Sequence, residues 1–295
     1  MKVLVFGSFN IDRVYTLTKL PERGETLYCR DYEIHVGGKG LNQALAFQRA
    51  GAQVVAAGKI GADGAFLADY LRDNGVDVSA IDRTGAYSGH AVIEVDPDGQ
   101  NQMILFGGAN RTVTPDYCDR LLAEHGDAAL LLTQCETSCV DHMLQKAHAA
   151  GIRTALNPSP FTEAVKDMPF DAVDLLILNE FEGASLTGET EPEAIAKALR
   201  AMNRGTVILT LGAGGAVYCD GETLIKAPAF QAEAVDTTGA GDTFTGYCLY
   251  ALLNGAAPRE ALRAGAAASA IEVTRPGAAE AIPRREEVLA LLAGQ

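Results

Sequence analysis

The chain is short of positive charge: 24 Lys and Arg stand against 38 Asp and Glu, a net charge of −14 over 295 residues. That balance argues against nucleic acid and anionic membrane surfaces as partners, because both call for a basic face. It leaves room for a nucleotide, which a local ring of backbone N–H groups can hold. No stretch approaches the roughly 20 apolar residues of a membrane span. The opening run Met1-Lys2-Val3-Leu4-Val5-Phe6-Gly7 is too short for a secretion signal and reads as a buried strand. The six cysteines (Cys29, Cys118, Cys135, Cys139, Cys219, Cys248) include no C-x-x-C pair. Reduced, mostly buried thiols in a cytoplasmic protein are therefore expected. The five histidines are dispersed and form no H-E-x-x-H, which argues against a zinc site. Two nucleotide motifs are missing as well. G-x-x-x-x-G-K-[ST] is absent, so there is no P-loop. The first strand ends Gly7-Ser8-Phe9-Asn10 rather than G-x-G-x-x-G, which argues against a nicotinamide oxidoreductase. No internal repeat or low-complexity linker is visible.

What is there is a large apolar inventory, 48% of residues, enough for one big α/β domain over residues 1–295. Short apolar runs at 2–8, 53–57, 128–132, 153–157, 175–178 and 206–210 alternate with helical stretches. This rhythm predicts a mostly parallel central sheet covered by helices on both faces. Two segments break it. Residues of about 13–36 and 88–107 read as strands with no helix between them, the second a hairpin around Asp96-Pro97-Asp98-Gly99. Together they predict a small β-sheet lid over the strand ends, or a dimer contact.

Several motifs sit where open α/β sheets bind ligands, at the carboxyl ends of strands. Asn10 and Asp12 follow the first strand and can grip a polyol or close an Asx turn. Gly37-Gly38-Lys39-Gly40-Leu41-Asn42-Gln43 feeds an Ala-rich helix; its glycines admit a ligand to the backbone, or simply start the helix. Glu136 after the 128–132 strand reads, taken alone, as a solvated loop acid. Asn179 and Glu182 both face a crevice or form an ordinary N-cap with first-turn acids. Thr210-Leu211-Gly212-Ala213-Gly214-Gly215 is a glycine turn able to carry a nucleotide's phosphates or ribose. The richest stretch is Asp236-Thr237-Thr238-Gly239-Ala240-Gly241-Asp242-Thr243-Phe244, opening an amphipathic segment. Its small residues and a helix start would concentrate N–H groups and dipole on an anion, with Asp242 beside them as a base. The alternative is a helix capped by Asp or Thr. A polyol pocket, a nucleotide cradle and an anion hole with a base between them describe phosphoryl transfer.

In order and spacing, the stretches 37–43, 179–182 and 236–242 resemble the ribokinase-like (PfkB) family of carbohydrate kinases over nearly the whole chain. Gly7–Asp12, Gly107-Gly108-Ala109-Asn110 and Ala155–Pro160 resemble its ribokinase branch. The resemblance implies an ATP-dependent kinase acting on the primary 5-hydroxyl of ribose or a similar sugar. It also implies Mg²⁺, a monovalent cation such as K⁺, and a homodimer built through the lid. It carries sugar contacts to Asn10, Asp12, Gly37, Gly38, Lys39, Gly40, Asn42 and Glu136, and the general base to Asp242. Gly239, Ala240 and Gly241 become the anion hole. Asn179, the Thr210–Gly215 turn, Gly241 and Ala266 become nucleotide contacts. Glu182 organises Mg²⁺ through water, and Asp236, Thr238, Glu272, Arg275, Gly277 and Ala281 surround K⁺. Two departures stand out: Ala266 where ribokinases commonly carry His, and Ala281 where they offer a hydroxyl. The same family also contains kinases for other sugars and nucleosides, and a non-catalytic sugar or nucleotide sensor would keep the same fold.

Overall fold

The computed structural model describes residues 1–294 and contains two sheets. The strands of the larger one are β1 (Lys2–Phe6), β4 (Gln53–Gly61), β5 (Ile81–Gly85), β8 (Leu130–Gln134), β9 (Thr154–Asn157), β10 (Leu175–Asn179), β11 (Thr206–Thr210), β12 (Ala216–Cys219) and β13 (Leu224–Ala227). They run in the order β13-β12-β11-β10-β9-β8-β1-β4-β5, parallel from β11 to β5, with β12 and β13 added antiparallel at one edge. The helices are α1 (Lys39–Ala50), α2 (Ala65–Asp73), α3 (Pro115–Glu124), α4 (Val140–Ala149), α5 (Glu180–Thr187), α6 (Pro192–Met202), α7 (Ala240–Leu253), α8 (Pro258–Glu272) and α9 (Arg285–Ala293).

Strand alternation builds a core on each face of this sheet. Val3 and Val5 of β1 join one cluster with Leu41 of α1, Phe244 of α7 and Leu262 of α8. Leu4 and Phe6 point the other way, into a cluster with Leu121 of α3, Met143 of α4 and Leu199 of α6. Every strand buried on both faces reads as a continuous apolar run, which is why these were the easiest elements to anticipate. α7 departs from the expected amphipathic pattern. It is buried from Asp242 through Leu249, because α1 and α8 flank it. A helix enclosed this way has no need of a polar face.

The lid is a separate four-stranded sheet of β2 (Asn10–Thr16), β3 (Asp31–Gly37), β6 (Gly89–Val95) and β7 (Asn101–Phe106), in the order β3-β2-β6-β7. The first segment starts earlier than the expected residue 13, while β6 and β7 lie between residues 89 and 106. β2 begins at Asn10, so Asn10 and Asp12 lie on a lid strand rather than in a turn closing β1. Residues 26–30, expected to be extended, form no strand. Of these residues only Arg30 bonds to a strand, its N–H donating to the Thr16 carbonyl of β2 at 2.7 Å, and Tyr28 is almost fully exposed. β5 was not anticipated at all: Ile81-Asp82-Arg83-Thr84-Gly85 is an edge strand with a single buried side chain, too polar to show the pattern.

Candidate active site

The lid and α1 meet the large sheet where β1 ends. β2 pairs antiparallel with β3, placing Asn10 opposite Gly37 and Asp12 opposite His35. The Asp12 carboxylate lies directly over Gly37. A Cβ there would fall 2.1 Å from Asp12 Oδ2, so only glycine leaves the acid its place. Asn10 is oriented by Asn110, whose Nδ2 donates to Asn10 Oδ1 at 2.8 Å while its Oδ1 accepts from the Phe9 N–H at 3.1 Å. Glu136 turns out not to be a solvated loop acid: its Oε2 accepts from the Ser8 hydroxyl and from the Lys39 N–H at 3.2 Å. Burial, then the Glu136 and Glu280 carboxylates, push Asp12 up to about 7, with His35 pulling the other way. The Lys39 ammonium is held above its ordinary range because Asp242, Glu136 and Glu182 outweigh its burial. Asn10, Asp12 and Glu136 thus gather hydrogen-bond acceptors where the small sheet meets the end of β1, a set suited to a ligand rich in hydroxyls.

α7 begins at Gly239, which has φ +92° and no side-chain cap. No side chain caps the helix, so the capped-helix alternative does not hold here; the Ala240 N–H leans on the Thr237 carbonyl at 3.4 Å, and the N–H groups of Gly241 and Asp242 are left for another acceptor. Beyond the helix's own backbone and its chain neighbours, nothing lies within 4 Å of where a Cβ on Gly241 would stand. Asp242 is 6% exposed, and two amides grip its carboxylate: Asn42 Nδ2 donates to Oδ2 at 3.1 Å and Gln43 Nε2 to Oδ1 at 2.8 Å. Gln43 Nε2 also donates to Asn157 Oδ1 at 3.0 Å, and Gln43 Oε1 accepts from Gln134 Nε2 at 2.6 Å. Gln134 carried no sequence signal of a role, and Ser8 and Asn110, though within the stretches 7–12 and 107–110 that resemble the family, had none assigned to them, since a lone amide or hydroxyl near a strand end is indistinguishable from a turn residue.

Asp242 opens onto a cleft also lined by Lys39, Asn157, Asn179, Glu182, Thr210, Gly241 and Thr245. Asn179 and Glu182 do form a capping box, Asn179 Oδ1 accepting from the Glu182 N–H at 2.8 Å and Glu182 Oε2 from the Asn179 N–H at 3.1 Å. Cap and cleft position are therefore both real. The Leu211–Gly215 turn follows β11 at the cleft's outer end, its Gly212–Gly214 segment exposed. Ala266 is buried, in the same core cluster as Ala216 and Tyr218.

Behind the start of α7 lies Glu272, 0% exposed, with neither carboxylate oxygen hydrogen-bonded. Burial, then Asp236 and Asp242, push it up to about 9. Asp236 accepts from the Thr238 N–H at 2.9 Å and the Gly277 N–H at 3.0 Å. Ala281 lies buried one turn beyond, and the Arg275 side chain leaves the group to pair with Glu287. A buried, unpartnered carboxylate next to a second acid is a lining that fits a cation.

A family model described as pfkB family carbohydrate kinase matches residues 1–285. The chain belongs to the pfkB family of carbohydrate kinases. It is 37% identical to the ribokinase of Haemophilus influenzae, the match covering 98% of this chain and 97% of that protein. With the ribokinase of Bacillus subtilis it shares 34% identity over 98% and 99% of the two chains. The solved structure of Arabidopsis thaliana ribokinase complexed with ribose and ATP superposes with a TM-score of 0.88 at 32% identity, covering 98% of each chain. The expected α/β fold with its small second sheet is that of this family. Like other pfkB carbohydrate kinases, the protein is a ribokinase-type phosphotransferase with an alcohol group as acceptor.

Proposed function

We propose that this pfkB kinase transfers the γ-phosphoryl group of ATP to the primary 5-hydroxyl of ribose or a closely ribose-like sugar. The observation carrying this is Asp242, an acid fixed by two amides at the uncapped N-terminus of α7, facing a cleft shared with Lys39. Asn10, Asp12, Gly37–Gly40, Asn42 and Glu136 hold the sugar hydroxyls. Asp242 takes the proton of the 5-hydroxyl as its oxygen attacks the γ-phosphorus and ADP leaves. Negative charge on the transferred group is met by the N–H groups of Gly239, Ala240 and Gly241 and the α7 dipole. Asn179 and the Thr210–Gly215 turn carry the nucleotide. Mg²⁺ bound with ATP would neutralise phosphate charge, and Glu182, a buried carboxylate lining the cleft, is the residue to organise it. K⁺ would sit by Glu272, Asp236 and Thr238, with carbonyls of Arg275, Gly277 and Ala281, and would stiffen the turn that forms the anion hole.

The exposed β7 strand supports a homodimer through the lid: Met103, Ile104, Leu105 and Phe106 are 51%, 67%, 57% and 48% exposed. Six free cysteines support a cytoplasmic setting. No helix among the described residues is long and apolar enough to cross a membrane.

ADP release measured across a panel of pentoses, hexoses and nucleosides tests the substrate. The highest kcat/KM is expected for ribose. Turnover of a nucleoside with no binding of ribose by calorimetry overturns the assignment.

A further inference from the structure

Arg49 lies in the last turn of α1, the helix whose N-terminal end carries Lys39, Asn42 and Gln43. Its guanidinium is half-buried, and its hydrogen bonds go to backbone and amide oxygens rather than to a carboxylate. Nη1 donates to the carbonyls of Ala279, at 3.3 Å, and Ile282, and Nη2 to Asn74 Oδ1 at 3.2 Å. The two carbonyls belong to the segment that closes the Glu272–Asp236 cluster. Within that segment, Gly277 N–H donates to Asp236 Oδ2 at 3.0 Å and Ala281 N–H to the Ala278 carbonyl at 3.1 Å. The carbonyls of Ala278, Ala279 and Ile282 are therefore occupied. Those of Gly277 and Ala281 accept no hydrogen bond among the described residues.

We infer that Arg49 is a positioning residue for the monovalent-cation site: it holds the Ala279 and Ile282 carbonyls so that those of Gly277 and Ala281 stay turned to the ion. Nη2 on Asn74 fixes the guanidinium plane, so the two Nη1 hydrogens point in set directions at the two carbonyls, whereas the donors of a lysine ammonium rotate freely about its stem. α1 then ties two functions together. One end presents the groups that grip the sugar and Asp242, and the other end braces the loop behind the anion turn. This inference rests on the proposed cation site.

The test is thermal unfolding of the ligand-free protein titrated with KCl, with choline chloride keeping ionic strength constant. It is applied to wild type, Arg49→Lys and Arg49→Met. Wild type is expected to gain melting temperature with K⁺. Both variants are expected to need roughly tenfold or more K⁺ for half of that gain, from the loss of charge-assisted bonds to two carbonyls. Sugar KM at saturating K⁺ should stay at the wild-type value. Arg49→Lys, which keeps charge and stem, supplies the answer if Arg49→Met does not fold. An unchanged K⁺ midpoint in the variants overturns the role of Arg49, and a lower melting temperature in choline would then mark it as a packing residue. A wild type whose melting temperature and turnover both ignore K⁺ overturns the cation site itself, and this inference with it.

Discussion

Asp242 accepts hydrogen bonds on both carboxylate oxygens, from Asn42 and Gln43. Asp242→Asn puts an amide N–H₂ against one of those two donors and removes the proton acceptor. Turnover is expected to fall by roughly 10²–10⁴-fold, with sugar affinity by calorimetry close to wild type. Near wild-type kcat would remove Asp242 from the role of base. Asp12 gives a different prediction. With a folded pKa of about 7 against an ordinary 3.8, the unfolded chain loses this proton first as pH rises. Asp12 therefore lowers stability progressively between about pH 4 and 7, and the full cost is present above that window. Asp12→Asn is expected to unfold at a higher temperature than wild type at pH 8, and to match it at pH 4, while its affinity for the sugar drops. Equal melting curves at pH 8 would mean that the acid is less crowded by Glu136 and Glu280 than its placement requires.

The N-terminus of α7 illustrates how an element is specialised. α3 begins conventionally, with Thr114 Oγ1 accepting from the Tyr117 N–H and Pro115 at the first helical position. α7 begins at Gly239 with no cap, and its first turn is pinned from behind. Ser269 of α8 donates to the Ala240 carbonyl at 2.8 Å, and Thr245 to that of Gly241 at 2.7 Å. The carbonyls are thereby secured, while the N–H groups of Gly241 and Asp242 stay open and that of Ala240 makes only a long bond to the Thr237 carbonyl at 3.4 Å. Gly239→Ala would need φ +92°, and its Cβ would stand 3.0 Å from Glu272 Oε1 and 3.1 Å from Ala278 Cβ. A stability loss of about 1–2 kcal/mol is expected, together with a fall in kcat larger than the rise in sugar KM. Denaturant midpoints and steady-state kinetics measure both; unaltered kcat would show that this turn does not meet the transferred phosphoryl group.

In the molecule as a whole, the lid leaves β7 as an exposed apolar edge strand. An edge of that kind invites pairing. Light scattering at micromolar concentration is expected to give twice the 31.0 kDa chain mass. Ile104→Lys, on the most exposed of the four β7 apolar side chains, is expected to shift the protein to monomers. A wild-type monomer would leave the lid with some other cover.

The sheet and most helices were readable because their signals are local. An apolar run of Leu175-Leu176-Ile177-Leu178 has one stable fate, a strand buried on both faces, and Pro115 or Pro258 marks a helix start wherever the chain goes. The three glycine-rich stretches were readable for the same reason, since each states its own backbone need within a few residues. Local signals could not say which polar groups meet. Gln43 lies 199 positions from Asp242, Asn110 100 from Asn10 and Arg49 233 from Ile282, and no periodicity links such pairs. Nor could they decide that Glu136 is fixed by Ser8, that Glu272 is buried without a partner, or that α7 starts uncapped. Those outcomes depend on how helices dock on the sheet, because an amide or carboxylate acquires its role only from the dielectric and the partners that packing puts around it.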